Sequence, residues 1–154
     1  MQAEFYMCIR PFKDSDYSTI TRIYANTKLD ELRYEDKVFE LLPLEEDAVR
    51  LKQLSESDIY LYDNGEVLGY GAVFGQEIRA LFVLSKYRGL GVGQAILAFL
   101  MAKAGGEMSL YLASSNLPAK RLYEKYGFIT VETFETRYNG LAVFADKMVR
   151  PAVG

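Results

Sequence analysis

The sequence predicts a mixed α/β fold with a strand, a glycine-rich loop and an apolar helix at its centre. Three observations carry this reading. Apolar, β-rich runs flank tight-turn signals between Asp58 and Leu84; "KYRGLGVG" (Lys86 to Gly93) separates the last of those runs from the apolar stretch "QAILAFLMAKA"; and the remaining third alternates strand, short helix and two strands. With 154 residues, half of them hydrophobic, the chain is long enough to bury a core without staples, and a single domain over 1–154 is expected.

The elements follow in order. "FYMCIRPF" (5–12) reads as a first strand ended by Pro11. "DSDYSTITRIYANT" offers an Asp cap and apolar Tyr17, Ile20, Ile23 and Tyr24 at helical spacing. Leu29 to Ser57 is charged and helical in character, broken by Pro43. "DIYLYDNGEVLGYGAVFG" is a hairpin about Asp63-Asn64-Gly65, and Gly75-Gln76 turns into the third strand, "EIRALFVL". A helix is expected from about Gly91 to Lys103, ended by Gly105-Gly106. "MSLYLAS" is a strand, "PAKRLYEKY" a short helix stopped by Gly127, and the chain closes as two strands around Asn139-Gly140.

Composition excludes several chemistries. Twenty-one acidic and 18 basic residues give a net charge of −3 with no Lys/Arg block, so no nucleic-acid partner is expected. The absence of histidine removes Ser-His-Asp and Cys-His catalysis and argues against a zinc site; no metal is expected. The single cysteine, Cys8, has no disulfide partner within the chain and reads as a core thiol. The N-terminus lacks a basic segment followed by an apolar one, and the longest apolar run, Ala95 to Ala102, is too short to cross a bilayer. A cytoplasmic protein without a membrane partner is expected.

Two segments carry chemistry. The glycine loop ends in Gly93-Gln94-Ala95, where a Walker loop needs Gly-Lys-Ser/Thr and a dinucleotide fingerprint needs glycine in place of Gln94. What remains is an anion cradle of backbone amides before a helix, or a flexible turn rich in glycine. Downstream, "NLPAKRLYEKYGF" (Asn116 to Phe128) follows a strand end, where ligands of α/β sheets collect. Asn116 either caps the helix or reaches a ligand; Tyr123 either packs or acts.

Together these segments resemble the GNAT superfamily of acyl-CoA N-acetyltransferases. The family's loop Q/R-x-x-G-x-G/A corresponds to Lys86-Tyr87-Arg88-Gly89-Leu90-Gly91, followed by Val92-Gly93, with Lys86 where Gln or Arg is usual. Its downstream pattern N-x-x-A-x-x-L-Y-x-x-x-G-F fits Asn116, Ala119, Leu122, Tyr123, Gly127 and Phe128 without a gap. The resemblance covers about Cys8 to Arg150. It implies a central, mostly antiparallel sheet flanked by helices, and acetyl-CoA (coenzyme A) as co-substrate.

It further implies that Arg88, Gly89, Leu90, Gly91, Val92 and Gly93 bind the pyrophosphate, that Asn116 holds the cofactor or orders its loop, and that Phe82, Val83 and Leu84 offer backbone groups to the pantetheine arm. Tyr123 becomes the acid beside the departing sulfur, and Glu77 a candidate base, directly or through water. Tyr34 and Tyr138 fall where the family builds its acceptor pocket. The implied reaction is direct acetyl transfer to a primary amine of a small molecule or peptide. An enzyme using another acyl-CoA and a non-catalytic CoA-binding regulatory module are the alternatives. Dimers are common in the family, which leaves a homodimer open.

Overall fold

The computed structural model describes residues 8–152. Its elements are β1 (Ile9–Pro11), α1 (Tyr17–Thr27), α2 (Ala48–Ser55), β2 (Asp58–Asp63), β3 (Val67–Phe74), β4 (Glu77–Val83), α3 (Val92–Ala104), β5 (Met108–Ala113), α4 (Leu117–Lys125), β6 (Ile129–Tyr138) and β7 (Leu141–Arg150). The seven strands form one sheet in the order β1-β2-β3-β4-β5-β7-β6. Every neighbouring pair is antiparallel except β4–β5, which α3 joins as a parallel crossover. The expected mixed fold with its mostly antiparallel sheet is the one observed. The first residues of the predicted opening strand, 5–7, lie outside the described residues.

Alternation along the central strands buries both faces of the sheet. On one face α3 lays Val92, Ile96, Leu97 and Leu100 against Ile78, Met108, Leu110, Phe128 and Met148. Gly71 of β3 makes this close approach possible: a Cβ there would stand 2.6 Å from Ile96 Cγ2 and 2.9 Å from Leu100 Cδ1. On the other face Ile20, Ile23 and Tyr24 of α1 pack on Leu61, Tyr70, Ala72 and Phe82. A smaller cluster of Leu32, Phe39, Tyr138 and Val143 seals the end near β6–β7.

Four expectations need correction. Tyr17, expected on the apolar face of α1, is 42% exposed, since it opens the helix and the buried face begins at Ile20. Asp16 does not cap α1 through its side chain; the Arg10 guanidinium takes both carboxylate oxygens, at 2.8 and 2.9 Å, and the Lys13 N–H adds a third bond. A two-pronged ion pair with a guanidinium holds the carboxylate more strongly than backbone N–H groups at the helix start would. Leu29 to Ser57 is mostly not α-helical: it holds short 3-10 turns at Lys28–Leu32 and Leu44–Glu46, and only Ala48–Ser55 is an α-helix. Pro43 blocks helix on its N-terminal side, and burial of isolated anchors such as Phe39 substitutes for a continuous apolar stripe. Cys8 is partly buried against the α3-side core and reaches no further inward.

Helix α4 is pinned to the sheet by one buried carboxylate. Asp146 of β7, 2% exposed, accepts from Lys120 Nζ at 2.7 Å, Ser114 Oγ at 2.6 Å and Thr133 Oγ1 at 2.7 Å. Burial pushes its carboxyl up, but these three hydrogen bonds outweigh burial and hold it below the ordinary carboxylate value. A depressed folded-state pKa contributes stability above the unfolded value near ~3.9, and that stability is lost as the pH falls through the folded value. Asp146→Asn should therefore cost about 2 kcal/mol near neutral pH. The gap from the parent should close in denaturant titrations at progressively lower pH, beginning near pH ~4.

Candidate active site

β4 and β5 pair at only two positions, Glu77 with Ser109 and Ile78 with Leu110. Beyond them the parallel strands part and leave a gap in the sheet's centre. The gap opens into a cleft of about 840 Å³ walled by α1, the 3-10 turn after it, β4, the glycine loop, β5, α4 and the β6–β7 hairpin. Arg79 is an extra residue in β4, since Val73 pairs with Ile78 and Ala72 with Ala80. Such a bulge re-aims the backbone beside a site.

Pairing with β3 decides which β4 groups face the gap. The Leu84 N–H donates to Leu68 O at 2.9 Å, and its carbonyl accepts from the Tyr87 N–H at 2.9 Å. Strand alternation turns Phe82 to β3 as well, and turns Leu81 and Val83 toward the gap. The backbone contacts expected from Phe82, Val83 and Leu84 thus narrow to Val83, joined by Leu81. Phe82 contributes instead as packing, its ring set against Tyr24 at 5.4 Å and Tyr70 at 5.5 Å.

The glycine loop forms one rim. Gly91 N-caps α3 with φ +88°, a left-handed conformation costly for any residue with a Cβ. The first intrahelical bond runs from Ala95 N–H to Gly91 O at 3.0 Å, so helix geometry leaves the amides of Val92, Gly93 and Gln94 without intrahelical acceptors. With the positive end of the helix dipole they suit a pyrophosphate. Gly89, Gly91 and Gly93 line the cleft. Leu90 is 64% exposed and Val92 is buried in the core, so each has only its backbone to offer there. The rim is tied down: Ser85 donates from N and Oγ to Asn26 Oδ1, Tyr87 Oη to Glu66 at 2.6 Å, and Arg88 to Asp30 at 2.7 Å and Val83 O at 3.2 Å.

The opposite rim is the start of α4. Asn116 N-caps that helix but makes no side-chain cap, so capping does not occupy its amide. Asn116, Ala119, Leu122 and Tyr123 all line the cleft, as their spacing on one helix face requires. Tyr123 sits edge-on to Phe128 at 5.8 Å, and its hydroxyl has no hydrogen-bond partner among the described residues. Burial pushes that hydroxyl well above the ordinary tyrosine value, and the charge of Glu31 adds to the effect. It keeps its proton throughout the neutral range.

Glu77 lines the cleft near the point where β4 and β5 still pair, but its carboxylate is engaged. Arg79 Nε donates to it at 3.3 Å while Arg79 Nη1 holds Glu56 at 2.7 Å and Gln53 O at 3.1 Å. Among the tyrosines singled out in sequence, Tyr138 is buried in the cleft wall with its Oη bonded to the Leu42 N–H at 2.8 Å. Tyr34 is 50% exposed beside Arg33 and lies outside the cleft lining. Four more cleft residues, Tyr24, Lys28, Glu31 and Arg50, escaped sequence reading because they carry no motif and come from three separate elements.

The family model of the GNAT acetyltransferase domain matches residues 55–130, which contain the hairpin, β4, the glycine loop, α3, β5 and α4. Comparison with curated proteins by sequence gave no significant match. Solved structures share the fold. A GCN5-related N-acetyltransferase from Rhodopseudomonas palustris superposes with a TM-score of 0.76 at 18% identity, over 93% of this chain and 94% of that one. The ribosomal-protein-S18-alanine N-acetyltransferase from Escherichia coli gives 0.70 at 19% identity, over 95% and 94%. yncA from Salmonella typhimurium, whose structure holds its cofactor acetyl-CoA, gives 0.65 at 20% identity, over 94% and 93%. The family match spans both rims of the cleft and the fold is shared over more than nine-tenths of the chain, so residues 55–130 carry the core of a GNAT acetyltransferase domain.

Proposed function

We propose that the protein is an acetyl-CoA-dependent N-acetyltransferase acting on a primary amine of a small molecule or peptide by direct transfer in a ternary complex. One observation carries the reading: the gap between β4 and β5 joins an anion cradle on one rim to an unpartnered tyrosine hydroxyl on the other. The cradle fits a CoA pyrophosphate, because the amides of Val92, Gly93 and Gln94 have no intrahelical acceptors and no side chain stands on Gly89, Gly91 or Gly93. Asn116 and the backbone of Leu81 and Val83 would hold the pantetheine arm. Bound acetyl-CoA supplies an activated thioester carbonyl.

The residues then divide the proton work. The amine must lose a proton as the C–N bond forms, and the sulfur gains negative charge as the C–S bond breaks. A lysine-like amine, with a pKa of ~10.4, is neutral in only about one molecule in ~10³ near pH 7. Glu77 takes that proton, directly or through water, once it releases its 3.3 Å contact with Arg79. Tyr123 donates to the sulfur. Because burial makes its hydroxyl a weak acid, its main contribution is a hydrogen bond that strengthens as charge builds on sulfur, the proton following last.

Mixing acetyl-CoA with a panel of amines and following free thiol tests the reading. Amine-dependent thiol release, with the N-acetyl product found by mass, supports it. Tight acetyl-CoA binding without release from any amine would return the chain to a CoA-binding module. The base is tested separately: Glu77→Gln should lower the rate most below the acceptor's pKa, with a deficit that shrinks in alkaline buffer, where neutral amine is plentiful. Parallel pH–rate profiles for parent and variant would remove Glu77 from proton transfer.

A further inference from the structure

The acceptor half of the cleft holds a cluster to which the reading above gives no role. The Lys28 ammonium and the Arg50 guanidinium lie 5.2 and 5.1 Å from the ring centre of Tyr138, so two cations sit against one aromatic side chain. Each is held by a single carboxylate: Lys28 by Glu31 at 2.9 Å, and Arg50 Nη1 by Asp47 at 3.0 Å. An ammonium has three N–H donors and a guanidinium five, so both cations keep donors in hand. Lys28 also lies 5.8 Å from the ring centre of Tyr24. Tyr24 is 3% exposed, and its buried hydroxyl has no hydrogen-bond partner among the described residues. Burying a hydroxyl unpaired is unfavourable, and a ligand oxygen would relieve it.

Glu31, whose carboxylate bonds Lys28, lines the same cleft as Tyr123. A diamine or other purely cationic acceptor would bring its second charge against Lys28 and Arg50. An acceptor with one negative group would find there the spare N–H donors of two cations, each of which gives its carboxylate partner only part of its donor set.

Resting on the acetyltransferase reading, we propose that the acceptor is a free amino acid, its carboxylate received by Arg50, Lys28 and the Tyr24 hydroxyl and its amine by Glu31. The carboxylate would satisfy the orphan hydroxyl and the spare cation donors together, and the amine would face Tyr123 across the cleft. Glu31 in this arrangement orients the ammonium before its proton is lost.

The test uses matched pairs of amines that differ only in the carboxylate: phenylalanine with phenethylamine, ornithine with putrescine, methionine with 3-methylthiopropylamine. For at least one pair the amino acid should have the higher kcat/KM by about tenfold or more. Arg50→Gln, which leaves the Asp47 backbone cap of α2 in place, should shrink that preference to roughly two- to threefold while acetyl-CoA affinity stays at the parental value. Tyr24→Phe removes only an unpartnered hydroxyl, so it should fold at least as well as the parent and still lose part of the preference. Turnover of the decarboxylated amines at equal or higher efficiency in every pair, or a preference unchanged in both variants, would overturn the proposal and leave the acetyltransferase reading intact. Absence of thiol release from any amine, with acetyl-CoA bound, would overturn both.

Discussion

Gly93→Asp should abolish useful acetyl-CoA binding, lowering affinity by about 10²-fold or more, in a protein that folds as well as the parent. A hundredfold loss corresponds to about 2.7 kcal/mol, within reach of one close like-charge encounter. Gly93 lies in the first turn of α3, where the free amides converge. Unlike Gly91 it has no left-handed φ, and a Cβ there would meet only Val83 Cγ2, at 3.5 Å. Folding therefore tolerates a side chain. An aspartate near a helix N-terminus is itself favourable by about 0.3–1 kcal/mol, so the thermal midpoint should hold or rise. What changes is the occupant of the cradle: the carboxylate takes the amides that the pyrophosphate needs and repels its charge. Gly93→Ala separates charge from bulk and should bind nearly as the parent does. Calorimetric titration with acetyl-CoA gives the answer, and parental affinity in Gly93→Asp would remove the helix start from the cofactor site.

Tyr123→Phe should leave acetyl-CoA affinity near parental and reduce kcat by roughly 10²-fold. The ring keeps its edge contact with Phe128, and the lost hydroxyl had no protein partner among the described residues, so stability should change by less than about 0.5 kcal/mol. The loss falls on the step in which sulfur gains charge. The direction of the pKa shift adds a second signature. Burial and the Glu31 charge both raise the hydroxyl, so the parent's rate should show no loss from tyrosine ionisation up to pH ~10. Measured with chemistry shown to be rate-limiting, a Phe variant as fast as the parent would return Tyr123 to a packing role.

These expectations depend unequally on sequence. The cradle was legible because its chemistry is backbone chemistry: glycines beside an apolar helix announce free amides whatever surrounds them. Tyr123 was legible because Asn116, Ala119, Leu122 and Tyr123 share one helix face, and a helical period carries side-chain direction into sequence. The alternation of β4 was visible too, yet the side on which its amides are free was not. That depended on β3 taking Leu84 and on the early parting of β5, both set by pairing between distant segments.

The proposed acceptor pocket stands at the far end of this scale. Tyr24, Lys28, Glu31, Arg50 and Tyr138 span 115 positions of the chain and share no spacing. In sequence, Lys28 to Arg50 is a charged stretch interrupted by Pro43, which resembles a solvated face. Only when Phe39 and Leu32 anchor that stretch against Tyr138 and Val143 do its charges turn inward over the gap. Local sequence determined the elements outside Leu29 to Ser57, the glycine-rich helix start and the tyrosine on its helix face, because each depends on backbone geometry within a few residues. The opening between β4 and β5, the engagement of Glu77 by Arg79 and the cations of the cleft wall were decided by tertiary structure alone. Long-range strand pairing and desolvation create them, and neither leaves a period in the chain.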